Sequence, residues 1–426
     1  MNATTFEPRL LIYSQDGLGL GHLRRTTLLA AEFLAARPNG SVLTVCDSPI
    51  GQFFSATAGH DYLKLPSIRK LGPGQWSPVS LSSPFVDVLA LRAQTIRTAA
   101  LAFDPDVMLV DHMPHGAMGE LVPTLEALES TRTRMVLGLR DILDAPATVR
   151  RRWRLEGAFE AVERHFEDVL VYGSQDVFDV GAQYAWPAQI KDRLRYCGYV
   201  CSPTAVTAAE LVRRLYLADA TDRRLVVAMA GGGADGYPLF ETLIRAVPAL
   251  TAECPCTVVV VTGPFLPDAE RVQLQRLGDG LPVQLVSTVS DSLSYLSAAD
   301  LVVGMAGYNT TAEILSLGKP AVLVPRAGPS AEQQMRARSF AERGWVRWLP
   351  PGELSAASLA TTMLAALDAP CTPGRVQPDL RGRQRAASHL LNGGVRESAN
   401  GAGPDLVMSS VSEQPAGAVN ELLGEG

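Results

Sequence analysis

The chain has 426 residues, of which 47% are hydrophobic and 19% charged, and its formal net charge is −6. That length exceeds one ordinary core, so two domains are expected, and the composition is that of a globular α/β protein. The negative balance excludes a nucleic-acid partner gathered by a global positive field.

The start, MNATTFEPRLLIYS, has no basic region ahead of a long apolar core, so no signal peptide is expected. No run approaches the roughly 20 apolar residues of a spanning helix, and the expected compartment is the cytoplasm. The six cysteines, at 46, 197, 201, 254, 256 and 371, form no disulfide framework in a chain this size and lack zinc-knuckle spacing.

In chain order, 9–14 reads as an apolar strand. It meets a loop with Gly17, Gly19, Gly21 and His22, and a helix follows over 23–36. A second strand, 41–46, ends at Asp47. Residues 64–80, rich in Gly, Pro and Ser around Trp76, are expected to form a long loop. A helix over 84–103 precedes strands at 107–110, 135–139 and 169–172. This alternation predicts a doubly wound parallel sheet in an α/β fold. The first domain is set at 1–205 and a linker at 206–222.

The second domain, 223–370, repeats the plan. Strands are expected at 224–229, 257–262, 283–287, 301–303 and 321–324, with helices at 238–250, 312–317 and 354–367. A closing region, 371–395, carries a helix over 379–391. The tail, 396–426, is rich in Gly, Ser and acids and is expected to be disordered.

Residues 300–334 carry the most chemistry. A short strand leads to Gly304, Ala306 and Gly307. Asn309, Thr310 and Thr311 read as caps of the helix that bears Glu313, and a second strand ends at Pro325. Free N–H groups and the helix dipole at such a turn suit a phosphate. Glu313 suits a sugar diol, and it equally suits an acid at a helix start. Gln333 and Gln334 suit sugar hydroxyls or plain solvent. Gly231-Gly232-Gly233, after the strand at 224–229, reads as an anion nest.

In the first domain His22 opens a helix at the carboxyl edge of the sheet, where ligands of such folds lie. It reads as a general base or as a capping histidine. Asp111, at the end of another strand, reads as the carboxylate that fixes the His22 tautomer, or as a strand-end cap. Asp111 with His112 and His115 would be a weak metal set. Asp104-Pro105-Asp106 lies at the wrong strand edge for a metal motif and reads as a turn. Arg140 and Asp141 read as a surface ion pair or as the lining of an acceptor site.

Gly307, Thr310, Glu313, Gly318, Pro320, Pro325, Gln333 and Gln334 resemble, in order, the nucleotide-sugar half of a GT-B glycosyltransferase of the MurG-like family, which transfers N-acetylglucosamine from its UDP donor. The Gly-rich loop ending in Gly21-His22 is a second match. Glu332 departs from the basic residue usual before the Gln pair, and the donor sugar is left open. The resemblance implies two Rossmann-like domains facing across a cleft. It makes Glu313 the ribose ligand and the Gln pair the sugar ligand. It sets Gly231, Gly232 and Gly233 beside the donor phosphates with Gly307, Asn309 and Thr310, and puts Val289 at the base. Gly19, Gly21, His112 and Arg140 are placed on the acceptor side.

The expected activity is inverting transfer of a sugar, from a UDP-sugar such as UDP-GlcNAc, to a small-molecule or natural-product acceptor, with no cofactor and no metal. A soluble acceptor is favoured over a membrane lipid, and a homodimer is compatible with the chain. Rival readings are a nucleotide-sugar 2-epimerase of the same fold, a nicotinamide-dependent oxidoreductase using Asp47, and a sensor that binds donor without turnover.

Overall fold

Two parallel sheets carry the molecule. The computed structural model describes residues 7–15, 21–48, 57–72, 75–202, 208–218, 222–369 and 377–392. Gly17, Gly19, the segment 203–207, Cys371 and the tail 396–426 lie outside these residues.

The first sheet holds β1 (Arg9–Ser14), β2 (Ser41–Cys46) and β3 (His60–Lys64). A separate antiparallel hairpin follows, β4 (Ile68–Gly72) with β5 (Gln75–Pro78). Then come β6 (Val107–Asp111), β7 (Arg134–Arg140), β8 (Asp168–Tyr172) and β9 (Leu194–Tyr196). The order in the sheet is β3-β2-β1-β6-β7-β8-β9, parallel throughout. The second sheet holds β10 (Arg224–Met229), β11 (Cys256–Val261), β12 (Val283–Val286), β13 (Leu301–Gly304), β14 (Ala321–Leu323) and β15 (Arg347–Trp348), in the order β12-β11-β10-β13-β14-β15.

The central strands are near-continuous apolar runs because helices cover both faces of a parallel sheet. Leu10, Leu11 and Ile12 in β1, and Val226 and Val227 in β10, have no exposed surface. The helix Gly21–Ala36 buries Leu23, Thr26, Leu29, Ala30, Phe33 and Leu34, a spacing that keeps one stripe against the sheet.

Both sheets reverse direction at one place. In the first, chain order runs outward on either side of the β1/β6 boundary. In the second it does so at β10/β13. The crevice at such a switch point, beyond the carboxyl ends of the strands, is where open α/β sheets bind ligands. His22 follows β1 and Asp111 ends β6. The Gly231 loop follows β10 and the Gly307 turn follows β13. All four candidate segments therefore stand at the two switch points.

The described residues up to Leu391 hold together as one packed unit. One apolar cluster runs through both lobes, from Leu10, Ile12 and Leu29 through Tyr199 and Tyr308 to Phe340 and Leu390. The helix Gly382–Leu391 packs back on Gly21–Ala36. Arg383 pairs with Glu32 at 2.8 Å, and Arg134 donates to the carbonyls of His389 and Leu390 at 2.7 and 2.8 Å. No helix among the described residues is long and apolar enough to cross a membrane.

Several elements differ from expectation. β3 and β9 are edge strands, three to five residues long and interrupted by charges, so they lack a buried run. The expected loop 64–80 contains the hairpin, anchored by fully buried Ile68 against Val88 and Ala117. The helix expected over 312–317 is Tyr308–Ser316, so Asn309, Thr310 and Thr311 are its first turn rather than its caps. Gly307 takes the cap position with extended backbone and no side chain, which frees the Asn309 amide for another partner.

Candidate active site

The first turn of Gly21–Ala36 lies directly against the first turns of Tyr308–Ser316. The Asn309 amide donates to the Gly21 carbonyl at 3.0 Å, and Arg24 pairs with Glu313 at 2.5 Å. His22 and Glu313, 291 positions apart in the chain, thus belong to one junction between the lobes.

His22 Nδ1 lies 2.6 Å from Asp111 Oδ2. A carboxylate only accepts, so Nδ1 carries the proton and the basic lone pair is on Nε2. Asp111 is fully buried. Burial alone would raise its carboxyl, but Arg25 and His22 outweigh that and hold it below the ordinary range. Arg25 donates to both Asp111 oxygens, at 3.0 and 2.9 Å. Its Nη2 also lies 3.0 Å from His22 Nδ1, an approach set by their shared anion.

Arg25 is itself 2% exposed, with its guanidinium carbon 5.2 Å from the ring centres of Tyr172 and Tyr308. Tyr308 opens the helix of the second lobe. The carboxylate that orients His22 is therefore tied through one arginine to the opposite lobe. Sequence reasoning missed Arg25, although its place three residues after His22 puts both on one helix face.

His112 stands beside His22, their ring centroids 5.1 Å apart, with its backbone in the left-handed region at φ 78°. Desolvation, then the charges of Arg140, His22, Arg152 and Arg25, hold its imidazole well below the ordinary histidine range. A neutral ring at this position can exchange hydrogen bonds with a hydroxyl. His115 is brought to no common centre with it. Among the described residues no three His, Cys, Asp or Glu side chains converge as a metal set. Asp104 and Asp106 cap the amino edge, engaging Arg9 at 2.9 and 2.8 Å, as the turn reading expects.

Arg140 and Asp141 do not form the surface ion pair that the sequence allows. They are adjacent, yet they do not pair with each other, because successive side chains at a strand end diverge. Arg140 pairs with Glu332 of the second lobe at 2.7 Å, and Asp141 receives a two-pronged hydrogen bond from Arg336 at 2.9 and 2.6 Å. Asp141, at 2% exposure, joins the lobes and is not part of a surface ion pair. Glu332 also meets Arg326 at 3.4 Å and Arg336 at 3.8 Å, so the acid that departs from the family pattern is answered by three arginines.

In the second lobe Glu313 is 3% exposed. Burial raises its carboxyl against the pull of Arg24 and a hydrogen bond with Ser202. The Gln333 side chain accepts from the Arg326 N–H at 3.1 Å, and Gln334 donates to the Arg326 and Ala327 carbonyls at 3.4 and 3.3 Å. The pair therefore shapes the 326–327 loop. Thr310 lies in the first helical turn, and Val289 is half-buried against the shared apolar cluster. In the glycine turn, Gly231 and Gly233 have φ of 61° and 90°. A Cβ on Gly233 would stand 2.0 Å from the Thr262 carbonyl oxygen, whereas one on Gly231 would meet nothing within 4 Å. Packing requires the third glycine, and only the first leaves space above its backbone.

The geometry has counterparts among known proteins. Residues 226–389 match the model of the glycosyltransferase family 28 C-terminal domain. The UDP-N-acetylglucosamine--N-acetylmuramyl-(pentapeptide) pyrophosphoryl-undecaprenol N-acetylglucosamine transferase of Exiguobacterium sp. is 29% identical over 148 residues, 34% of this chain and 40% of that protein. The chain thus aligns with less than half the length of this curated relative. Two solved structures extend the likeness to nearly the whole chain. The glycotransferase of kitacinnamycin superposes with a TM-score of 0.58 at 16% identity, covering 91% of this chain and 95% of that one. The UDP-GlcNAc 2-epimerase from Neisseria meningitidis does so with 0.59 at 10% identity, covering 90% and 98%. The fold is GT-B, two Rossmann-like lobes. Its second lobe is MurG-like.

Proposed function

We propose that the protein is a glycosyltransferase that moves a sugar from a nucleotide-diphosphate sugar, a UDP-sugar such as UDP-GlcNAc, to a small-molecule or natural-product acceptor in the cytoplasm. The observation that carries the proposal is the junction itself: an Asp-oriented histidine on one lobe, at a helix start lying against the helix that bears Glu313 on the other.

In this reading Glu313 holds the ribose diol, and the Gly231 loop and the start of Tyr308–Ser316 receive the diphosphate. Val289 lies by the base, and Gln333 and Gln334 by the sugar. The acceptor lies against the first lobe, with His112 beside its nucleophile. His22 Nε2 takes the proton from the acceptor hydroxyl or amine as that atom bonds to the anomeric carbon. The bond to the diphosphate oxygen breaks on the opposite face, and the configuration inverts. Asp111 stabilises the imidazolium that forms. Preorganised backbone dipoles replace a metal at the leaving group, each well-placed donor being worth about 3–4 kcal/mol by analogy with oxyanion holes.

The test is a thermal-shift screen of UDP-, dTDP- and GDP-sugars, then an acceptor panel with the best donor. Acceptor-dependent release of the nucleoside diphosphate supports transfer. An epimeric sugar nucleotide formed from donor alone would instead support the 2-epimerase reading, which the shared fold keeps in play. Absence of stabilisation by every nucleotide sugar would contradict both.

A further inference from the structure

Arg24 has an unfavourable address. It lies in the first turn of Gly21–Ala36, a turn with no acidic residue, where a cation faces the positive end of the helix dipole. The first turn of Tyr308–Ser316, lying against it, also lacks an acid. Two positive helix ends, Arg24 and Arg25 therefore converge at the junction. Asp111 answers Arg25. Arg24 is answered by Glu313, with a further hydrogen bond to Ser292 Oγ at 3.0 Å.

The two partners are not equivalent. The Glu313 side chain is 4% exposed and held by Ser202, while that of Arg24 is 31% exposed. The Gly21 carbonyl fixes the backbone of this turn to Asn309, so the Arg24 side chain can swing while its Cα stays in place. Glu313 is also the carboxylate the proposed function gives to the ribose. A diol that takes it must displace the guanidinium, and a diphosphate bound at the adjoining helix start offers that guanidinium a new anion, suited to its forked geometry.

We propose that Arg24 is a donor ligand supplied by the acceptor lobe: it exchanges Glu313 for the diphosphate when the ribose takes the carboxylate. This rests on the nucleotide-sugar reading above. The exchange makes recognition depend on the phosphates. A nucleoside alone displaces Arg24 and gives it nothing in return. A nucleoside diphosphate supplies the replacement anion.

The two contributions have opposite signs, so Arg24→Ala separates them. Uridine and UDP, and guanosine and GDP, are titrated calorimetrically into the full chain and into Arg24→Ala and Arg24→Lys. In Arg24→Ala the nucleoside binds more tightly, about threefold or more, because its competitor for Glu313 is gone. The diphosphate binds more weakly, about tenfold or more, because a charge-assisted contact is lost. Arg24→Lys keeps a point charge and recovers part of the diphosphate affinity. Parallel changes in both ligands, or none in either, overturn the exchange while leaving the nucleotide-sugar reading intact. A wild-type chain that binds neither UDP nor GDP contradicts that reading itself.

Discussion

Arg336 of the second lobe grips Asp141 of the first with two hydrogen bonds, at 2.9 and 2.6 Å, and neither side chain is more than 2% exposed. The same guanidinium donates to the Ala306 carbonyl at 2.7 Å, one residue before the Gly307 turn, and lies 5.7 Å from the Tyr308 ring centre. The lobes are thus joined by a buried ion pair that also supports the start of the helix Tyr308–Ser316. Arg336→Met leaves the Asp141 charge buried and unpaired, at a cost of about 3–5 kcal/mol. Urea unfolding is expected to show that loss, with most of it recovered in the double variant Asp141→Asn/Arg336→Met.

Asp111→Asn keeps the shape of the carboxylate but removes the charge that sets the His22 tautomer. An amide can donate to Nδ1, which would move the proton to Nε2 and leave no base there. Turnover is expected to fall by about 10⁴-fold, as for a catalytic triad with the same replacement, with donor affinity little changed. Steady-state kinetics alongside donor titration check this: a large kcat effect with an unchanged donor Kd is the expected pattern.

Burial holds the Glu313 carboxyl above its ordinary range. The folded chain keeps a proton there at a pH where the unfolded chain has lost it. Stability from this group therefore falls as pH rises from the ordinary value of about 4.3 through the raised one. Glu313→Gln cannot ionise, so its melting temperature at pH 7 is expected to exceed that of the parent, with the gap closing toward pH 4. The same variant is expected to weaken donor binding by about 10- to 100-fold, the worth of hydrogen bonds to a charged group. Melting curves across pH and one donor titration test both parts.

The central strands were readable because both faces of a parallel sheet are covered, so 9–14, 107–110 and 224–229 stand out as apolar runs. His60–Lys64 and Leu194–Tyr196 were not, since edge strands this short carry as many polar as apolar residues. His22 and Asp111 could be proposed as partners because both follow strands at a carboxyl edge. That Asp141 reaches Arg336, 195 positions away, depends on how the lobes pack, and nothing local encodes it. The helix Tyr308–Ser316 starts four residues before the expected 312 because Asn309 has the sequence look of a cap, whereas its amide reaches across to Gly21.

The glycine turn of the second lobe separates packing from binding. Gly233→Ala drives a Cβ into the Thr262 carbonyl oxygen at a φ of 90° and is expected to lose about 1–3 kcal/mol or more of stability. Gly231→Ala finds open space, and only its left-handed backbone costs stability, about 1 kcal/mol. Its methyl, however, enters the space that the proposed function gives to the diphosphate. Denaturation should show Gly233→Ala as the weaker fold, and UDP titration should show Gly231→Ala as folded but impaired in binding.

The central claim is that an imidazole on one lobe serves an activated sugar held by the other. It is tested most directly by following acceptor-dependent UDP release in the parent and in His22→Ala, with UDP-GlcNAc binding measured in both. His22→Ala is expected to bind the donor as the parent does and to lose transfer by about 10²-fold or more, the usual worth of a general base. Undiminished transfer in His22→Ala would contradict it.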